Sequence, residues 1–164
     1  MIPKILLWLF VLNLGVVFGA GIYEARISIA RWIGPSQASG PGWHAEEALR
    51  DDTGRRFWAF TTTIPLTLLT LANLWAAWQS AGPIRMWWLT AALAALADRM
   101  FTFTYFIPRM VGLLRAADSP EVRAKMTRWA NLNYVRLLLV LVAWLAALQT
   151  FALLYARSGQ EHGL

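Results

Sequence analysis

Apolar residues fall into four long runs along this chain. Ile5 to Tyr23, Phe57 to Gln79 and Leu137 to Ala156 contain no charged side chain, and Met86 to Ile107 contains a single charged dipeptide, Asp98-Arg99. Each run is close to the ~20 residues that carry a helix across ~30 Å of hydrocarbon. Backbone groups in lipid have no water to bond, so a spanning segment is either a helix or a strand of a closed barrel. The runs lack the period-two alternation of a barrel strand. The pattern therefore predicts an all-α fold, an integral membrane four-helix bundle. Residues 1–164 form one transmembrane domain, with spans at about 4–23, 57–79, 86–107 and 131–156 and a polar loop at 24–56.

Composition agrees. The chain is 58% hydrophobic and 15% charged, against roughly 25% charged in a soluble domain. Lys4 followed by an apolar core also has the form of a signal peptide, with Val17 and Gly19 as small residues of a cleavage site. The reading taken is an uncleaved first helix.

Charge sets an expected orientation. Lys4, Arg85 and Arg157 lie on the side of the termini. Arg26, Arg31, Arg50, Arg55, Arg56, Arg109, Arg115, Arg123, Lys125 and Arg128 lie on the other side, ten against three. The positive-inside rule places the two long loops in the cytoplasm of a bacterial inner-membrane protein and both termini outside. Tryptophans fall at the span edges in the manner of aromatic belts: Trp8, Trp75, Trp78, Trp87 and Trp88 at the outer face, Trp32, Trp43, Trp58 and Trp129 at the inner. The net charge of +6 is spread over these loops. It points to the lipid bilayer as partner and not to nucleic acid.

Several chemistries are excluded. With no cysteine there is no disulfide, thiol redox couple or thiolate-held metal or cluster. His44 and His162 both lie outside the spans, so no pair of histidines holds a haem inside the bundle. His44-Ala45-Glu46-Glu47 has metal-ligand residue types, but one histidine without a second ligand run reads as a solvated face, and no metal or other cofactor is expected. In the loop, Gly34 to Gly42 reads as a flexible turn.

Asp98-Arg99 is the best pointer to a working site, because a charge at the bilayer centre costs about 2.5–3.5 kcal/mol on insertion scales. Residues spaced i, i+4, i+7 share a helix face. Asp98, Thr102, Tyr105 and Arg109 have that spacing, as do Asn13, Val17, Ala20 and Glu24, then Thr63, Thr67 and Thr70, and finally Trp129, Asn133, Arg136 and Val140. At about 1.5 Å rise per residue, Asp98 and Arg136 fall in the same half of the bundle. The expectation is an Asp98–Arg136 or Asp98–Arg99 pair with Asn133 and Tyr105 beside it, and Asn13 and Thr67 in the same half. Arg99 diverges from Asp98 by about 100° around the helix, so one of the two must find a partner on another helix or snorkel. Such a network either glues helices or lines a pocket. The threonine stripe reads as structural. Pro65 frees the carbonyl of Thr61 and bends or opens the second span. Gly15 and Gly19 permit close packing within the bundle.

The start of the fourth span, Trp129-Ala-Asn-Leu-Asn-Tyr-Val-Arg136, resembles that of the anthrone oxygenase-like membrane family, long catalogued as a domain of unknown function. The long first loop, the Thr- and Pro-containing second span with Asn73, and Phe106-Ile-Pro108 at the end of the third span are similar too. The resemblance implies a cofactor-independent oxidation, by O₂, of a lipophilic phenolic anthrone to a quinone. Asp98 or Glu24 would be the base and Arg136 the charge stabiliser. Tyr105 and Asn133 would orient the substrate, and Thr102, Asn13, Thr67 and Arg99 would complete the binding surface. The competing reading is a non-catalytic accessory or structural subunit of a membrane complex. Transport ranks last, because no inverted repeat is evident.

Overall fold

The computed structural model describes residues 2–36 and 40–161; His162 and the middle of the 34–42 turn lie outside the described residues. The apolar runs are helical. α1 (Ile2–Tyr23) continues through a π-helical turn, π1 (Glu24–Ser28), into α2 (Ile29–Trp32). A short α3 (Ala45–Asp51) follows, then a long π-helical stretch, π2 (Gly54–Thr63), leading into α4 (Ile64–Trp78). α5 (Gly82–Phe101) runs on through π3 (Thr102–Phe106) into α6 (Ile107–Leu113), and α7 (Pro120–Glu161) completes the chain. Within the turn region of the first loop, Pro35–Ser36 and Gly40–Pro41 pair as a minimal antiparallel ribbon.

The four long helices form a closed ring in which α1 packs on α4 and α7, and α5 packs on α4 and α7. Neighbours are antiparallel: Asn73 reaches the carbonyl of Leu6 while Asn13 reaches that of Thr61, and Trp8 meets Tyr155 while Gly21 faces Leu137. The start of α1 and the end of α7 thus lie at one end of the bundle. Among the described residues, three helical stretches are long and apolar enough to cross a membrane: Pro3–Trp32, Gly54–Trp78 and Pro120–Arg157. α5 is not among them. It carries Arg85, Asp98 and Arg99 as well as two tryptophans, and it packs as the fourth wall of the ring.

The bundle is apolar outside and partly polar inside. Leu9, Leu12, Leu68, Leu71, Leu93, Leu138 and Leu145 are exposed, while Thr62, Thr70, Asn73, Asp98, Arg99, Asn133 and Thr150 are buried. An outer surface of leucine suits hydrocarbon, and interior polar groups find partners on one another. The threonines behave structurally: Thr62, Thr67, Thr70, Thr102 and Thr150 each donate to the carbonyl four residues back. At the end holding the termini, Asn73 accepts from Trp88 Nε1 at 2.9 Å and donates to Leu69 and Leu6, joining α1, α4 and α5.

Close packing falls on one of the two expected glycines and on a third that was not expected. Gly15 sits against the Trp144 ring, but Gly19 has nothing near it; the tight contact is at Gly21, where a Cβ would come within 2.5 Å of Leu137 Cδ2. The belt reading also divides. Trp8, Trp75, Trp78 and Trp87 are exposed at the end of the termini. At the opposite end Trp32, Trp43 and Trp129 are buried, forming with Ile29, Ala48, Phe106, Leu113 and Met126 a second core beneath the first loop. Their indole N–H groups are tied inward, Trp32 to Asp51, Trp43 to the Leu113 carbonyl and Trp129 to the Phe106 carbonyl. The loop is therefore a folded cap over the bundle end. Asp118 pins it by accepting from the Trp43 backbone N–H at 3.1 Å and from Arg123. The Arg123 guanidinium, helped by that backbone N–H, holds the Asp118 carboxyl down at about 2.

Candidate functional site: a charged cavity under the cap

The regular α-helix of α5 brings Asp98 inward to meet α7. Asp98 is fully buried; its Oδ1 accepts from Arg136 Nε at 3.2 Å, and its Oδ2 accepts from Arg99 Nε at 3.0 Å and from Arg99 Nη2. Arg99 folds back onto its sequence neighbour, so one carboxylate serves two guanidiniums. A charge buried this deeply persists only when paired and hydrogen-bonded. Arg136 also lies over the Phe106 ring, 4.8 Å from its centre.

Glu24 supplies a second buried carboxylate. It sits where α1 passes into π1, and its Oε1 accepts from Trp58 Nε1 at 2.7 Å and from Thr53 Oγ1 at 3.0 Å. Both donors come from the stretch that enters the second span, so Glu24 ties α1 to π2.

These groups meet at a cavity of about 670 Å³ between the bundle and the cap. Glu24, Arg99, Thr102 and Arg136 line it together with Trp32, Trp58, Phe106 and Trp129. Ligand cavities are mostly apolar, with a few convergent polar groups, and run roughly 300–1,000 Å³. All three π-helical turns contribute lining residues: Glu24 from π1, Gly54, Trp58, Ala59 and Thr63 from π2, and Thr102 and Phe106 from π3. Such turns are rare and concentrate at functional sites.

The π3 turn moves one expected residue. With about 4.4 residues per turn in place of 3.6, the residue following Asp98 and Thr102 on the inner face is Phe106, not Tyr105. Phe106 is buried and lines the cavity. Tyr105 instead stacks beside Phe101 and Phe106 and faces a separate groove with Arg109 and Lys125. The sequence holds a signal for this register change. Pro108 stands two residues beyond π3, as Pro65 stands two beyond π2. Proline takes away the N–H that would close the preceding α-turn.

The remaining expected residues divide. Arg136, Glu24, Thr102 and Arg99 come together at the cavity, and Asp98 lies directly beneath it, sealed from its space. Asn133 is buried, but its Nδ2 has no partner among the described residues and it does not line the cavity. Asn13 donates to the Thr61 carbonyl at 3.0 Å, which is the acceptor that Pro65 leaves open. Thr67 donates to the Thr63 carbonyl. Neither reaches the cavity. Sequence reasoning missed the Thr53–Trp58 clamp and took Trp32 and Trp129 for belt residues. Among the described residues no group of three His, Asp or Glu side chains is placed to hold a metal ion.

No family model, curated protein or solved structure matches this chain. Its functional reading therefore rests on the geometry of this site.

Proposed function

We propose that the cavity under the cap binds a lipophilic aromatic molecule and that the chain is a small membrane enzyme of the cofactor-independent oxygenase type, acting on a phenolic anthrone-like substrate. The observation that carries this is the meeting of Glu24, Arg99 and Arg136 with Trp32, Trp58, Phe106 and Trp129 around one cavity. The setting is a bacterial inner membrane with the termini outside and the cap in the cytoplasm, the side on which arginines concentrate.

Glu24 is the base, because it is the cavity-lining carboxylate held only by neutral donors. Asp98 positions the two arginines and touches no substrate. Glu24 takes a proton from the ring carbon flanked by aryl groups, and the carbon's electron pair passes to O₂, forming a carbon–oxygen bond. Glu24 returns its proton to the peroxide. Loss of the second C–H proton with cleavage of the O–O bond leaves a carbonyl and releases water. O₂ is the oxidant; one of its atoms ends in the quinone and the other in water. Arg136 and Arg99 stabilise the anions formed along this path. The alternative of an accessory subunit fits less well, since it would have its internal polar groups paired among themselves, and Arg99 Nη1 has no partner among the described residues.

The test is O₂ uptake by the purified protein given a hydroxylated anthrone. Quinone absorbance should rise in step with oxygen loss, and Glu24→Gln should abolish the protein-dependent part. A rate equal to the protein-free background would refute catalysis.

A further inference from the structure

Arg99 is 3% exposed, and its Nε and Nη2 both turn to Asp98. Its Nη1, on the other edge of the guanidinium, is buried without a hydrogen-bond partner among the described residues. A donor of a buried cation left without an acceptor is costly and rare. Arg99 lines the cavity, and so does Arg136. The charge of the site is unbalanced in the same direction. Arg55, Arg99, Arg115 and Arg136 on its walls face Glu24 and Asp52, with Asp98 beneath, so four cations meet three anions and leave a formal +1. Asp52 is taken by Arg55, and Glu24 by Trp58 and Thr53. The exposed part of the lining is mixed: Leu49, Ile107 and Val111 are exposed at 54%, 43% and 45%, and Arg55 and Arg115 are exposed beside them.

We infer that the cavity takes an organic acid, a flat aromatic molecule with one ionised oxygen group, seated with that group against the guanidiniums of Arg99 and Arg136. This rests on the reading of the cavity as a ligand site and names the ligand's class. An inorganic anion would leave the aromatic walls uncovered, and a neutral hydrocarbon would leave the two lining guanidiniums, Arg99 and Arg136, without a counter-charge from the ligand. Arg99 is then a binding residue in its own right, and Asp98 fixes the direction in which it points.

The test uses two probes of nearly equal shape, 2-naphthoate and the neutral 2-naphthamide, titrated at neutral pH into the full chain in detergent and followed by tryptophan quenching. The wild type should favour naphthoate by about tenfold, the scale of one charge-assisted hydrogen bond. Arg99→Met should erase that preference while leaving naphthamide binding in place, and Arg99→Lys should keep part of it. Arg99→Met leaves Asp98 paired one-to-one with Arg136, and thermal unfolding of the variant checks that it folds. Equal affinity for both probes in the wild type, or a preference that survives Arg99→Met, overturns the inference while the cavity remains a ligand site. Binding of neither probe overturns both.

Discussion

Arg136 Nε donates to Asp98 Oδ1 at 3.2 Å, joining α5 to α7 across 38 positions of sequence, while Arg99 holds the other carboxylate oxygen. The single anion is the hinge of this triad. Asp98→Ala would leave two buried guanidiniums without it. The expected loss is about 3–5 kcal/mol, the scale for breaking a buried ion pair from one side. Arg136→Met should cost less, because Asp98 keeps Arg99. Thermal unfolding in detergent compares the two, and a smaller loss for Asp98→Ala than for Arg136→Met would count against a shared carboxylate.

Asn13 and Pro65 should be energetically coupled. Asn13 donates to the carbonyl that Pro65 leaves without its helical partner. Asn13→Ala should destabilise by about 1–3 kcal/mol, the cost of a carbonyl left without a partner on a surface that faces hydrocarbon and not water. Pro65→Ala restores the N–H, so in that background the same change should cost clearly less. Additive effects in the double-mutant cycle would show that the two residues act separately.

Gly21, not Gly19, should be the intolerant glycine. A Cβ at Gly21 meets Leu137 Cδ2 at 2.5 Å, and one at Gly19 meets nothing. Gly21→Ala forces the end of the Leu137 side chain to turn aside, so it should leave the protein less stable than Gly19→Ala does by about 1 kcal/mol, the scale of an off-rotamer side chain, and Leu137→Ala should remove that difference. Gly19→Ala should be neutral or slightly stabilising, since Ala favours the helix over Gly. Equal sensitivity at the two sites in a melting assay would contradict this packing.

Cap docking should weaken in acid. Arg123 and the Trp43 N–H hold the Asp118 carboxyl down at about 2, below its ordinary value. A depressed folded-state value means a contribution fully present above the unfolded carboxylate's ~3.9 and lost as pH falls through about 2. Trp43 emission should therefore shift between about pH 4 and pH 2, and Asp118→Asn should remove that shift. A shift unchanged in the variant would assign the acid response to another group.

How much of this was legible in the sequence depends on where the helices are regular. Asp98 and Arg136 could be matched by periodicity and depth because Gly82–Phe101 is an ordinary α-helix. Tyr105 could not, because π3 begins at Thr102 and shifts every later residue. Pro108 marked the irregularity without giving its size. The Asn13–Thr61 contact was half visible, since Pro65 announced an open carbonyl but not the side chain that reaches it. Trp32, Trp43 and Trp129 sit at span edges as belt residues do. Only the acceptors offered by Asp51, Leu113 and Phe106 distinguish a folded cap from a lipid interface. The clamp on Glu24 is tertiary and has no local signature.

The most direct measurement of the central claim is ligand binding with the cavity filled. Ala59 lines the cavity on π2. A hydroxylated anthrone titrated under anaerobic conditions should quench tryptophan emission saturably in the wild type. Ala59→Phe should abolish saturation while the protein melts as before. Saturable binding that persists in a well-folded Ala59→Phe protein, or no saturation in the wild type, would contradict the account.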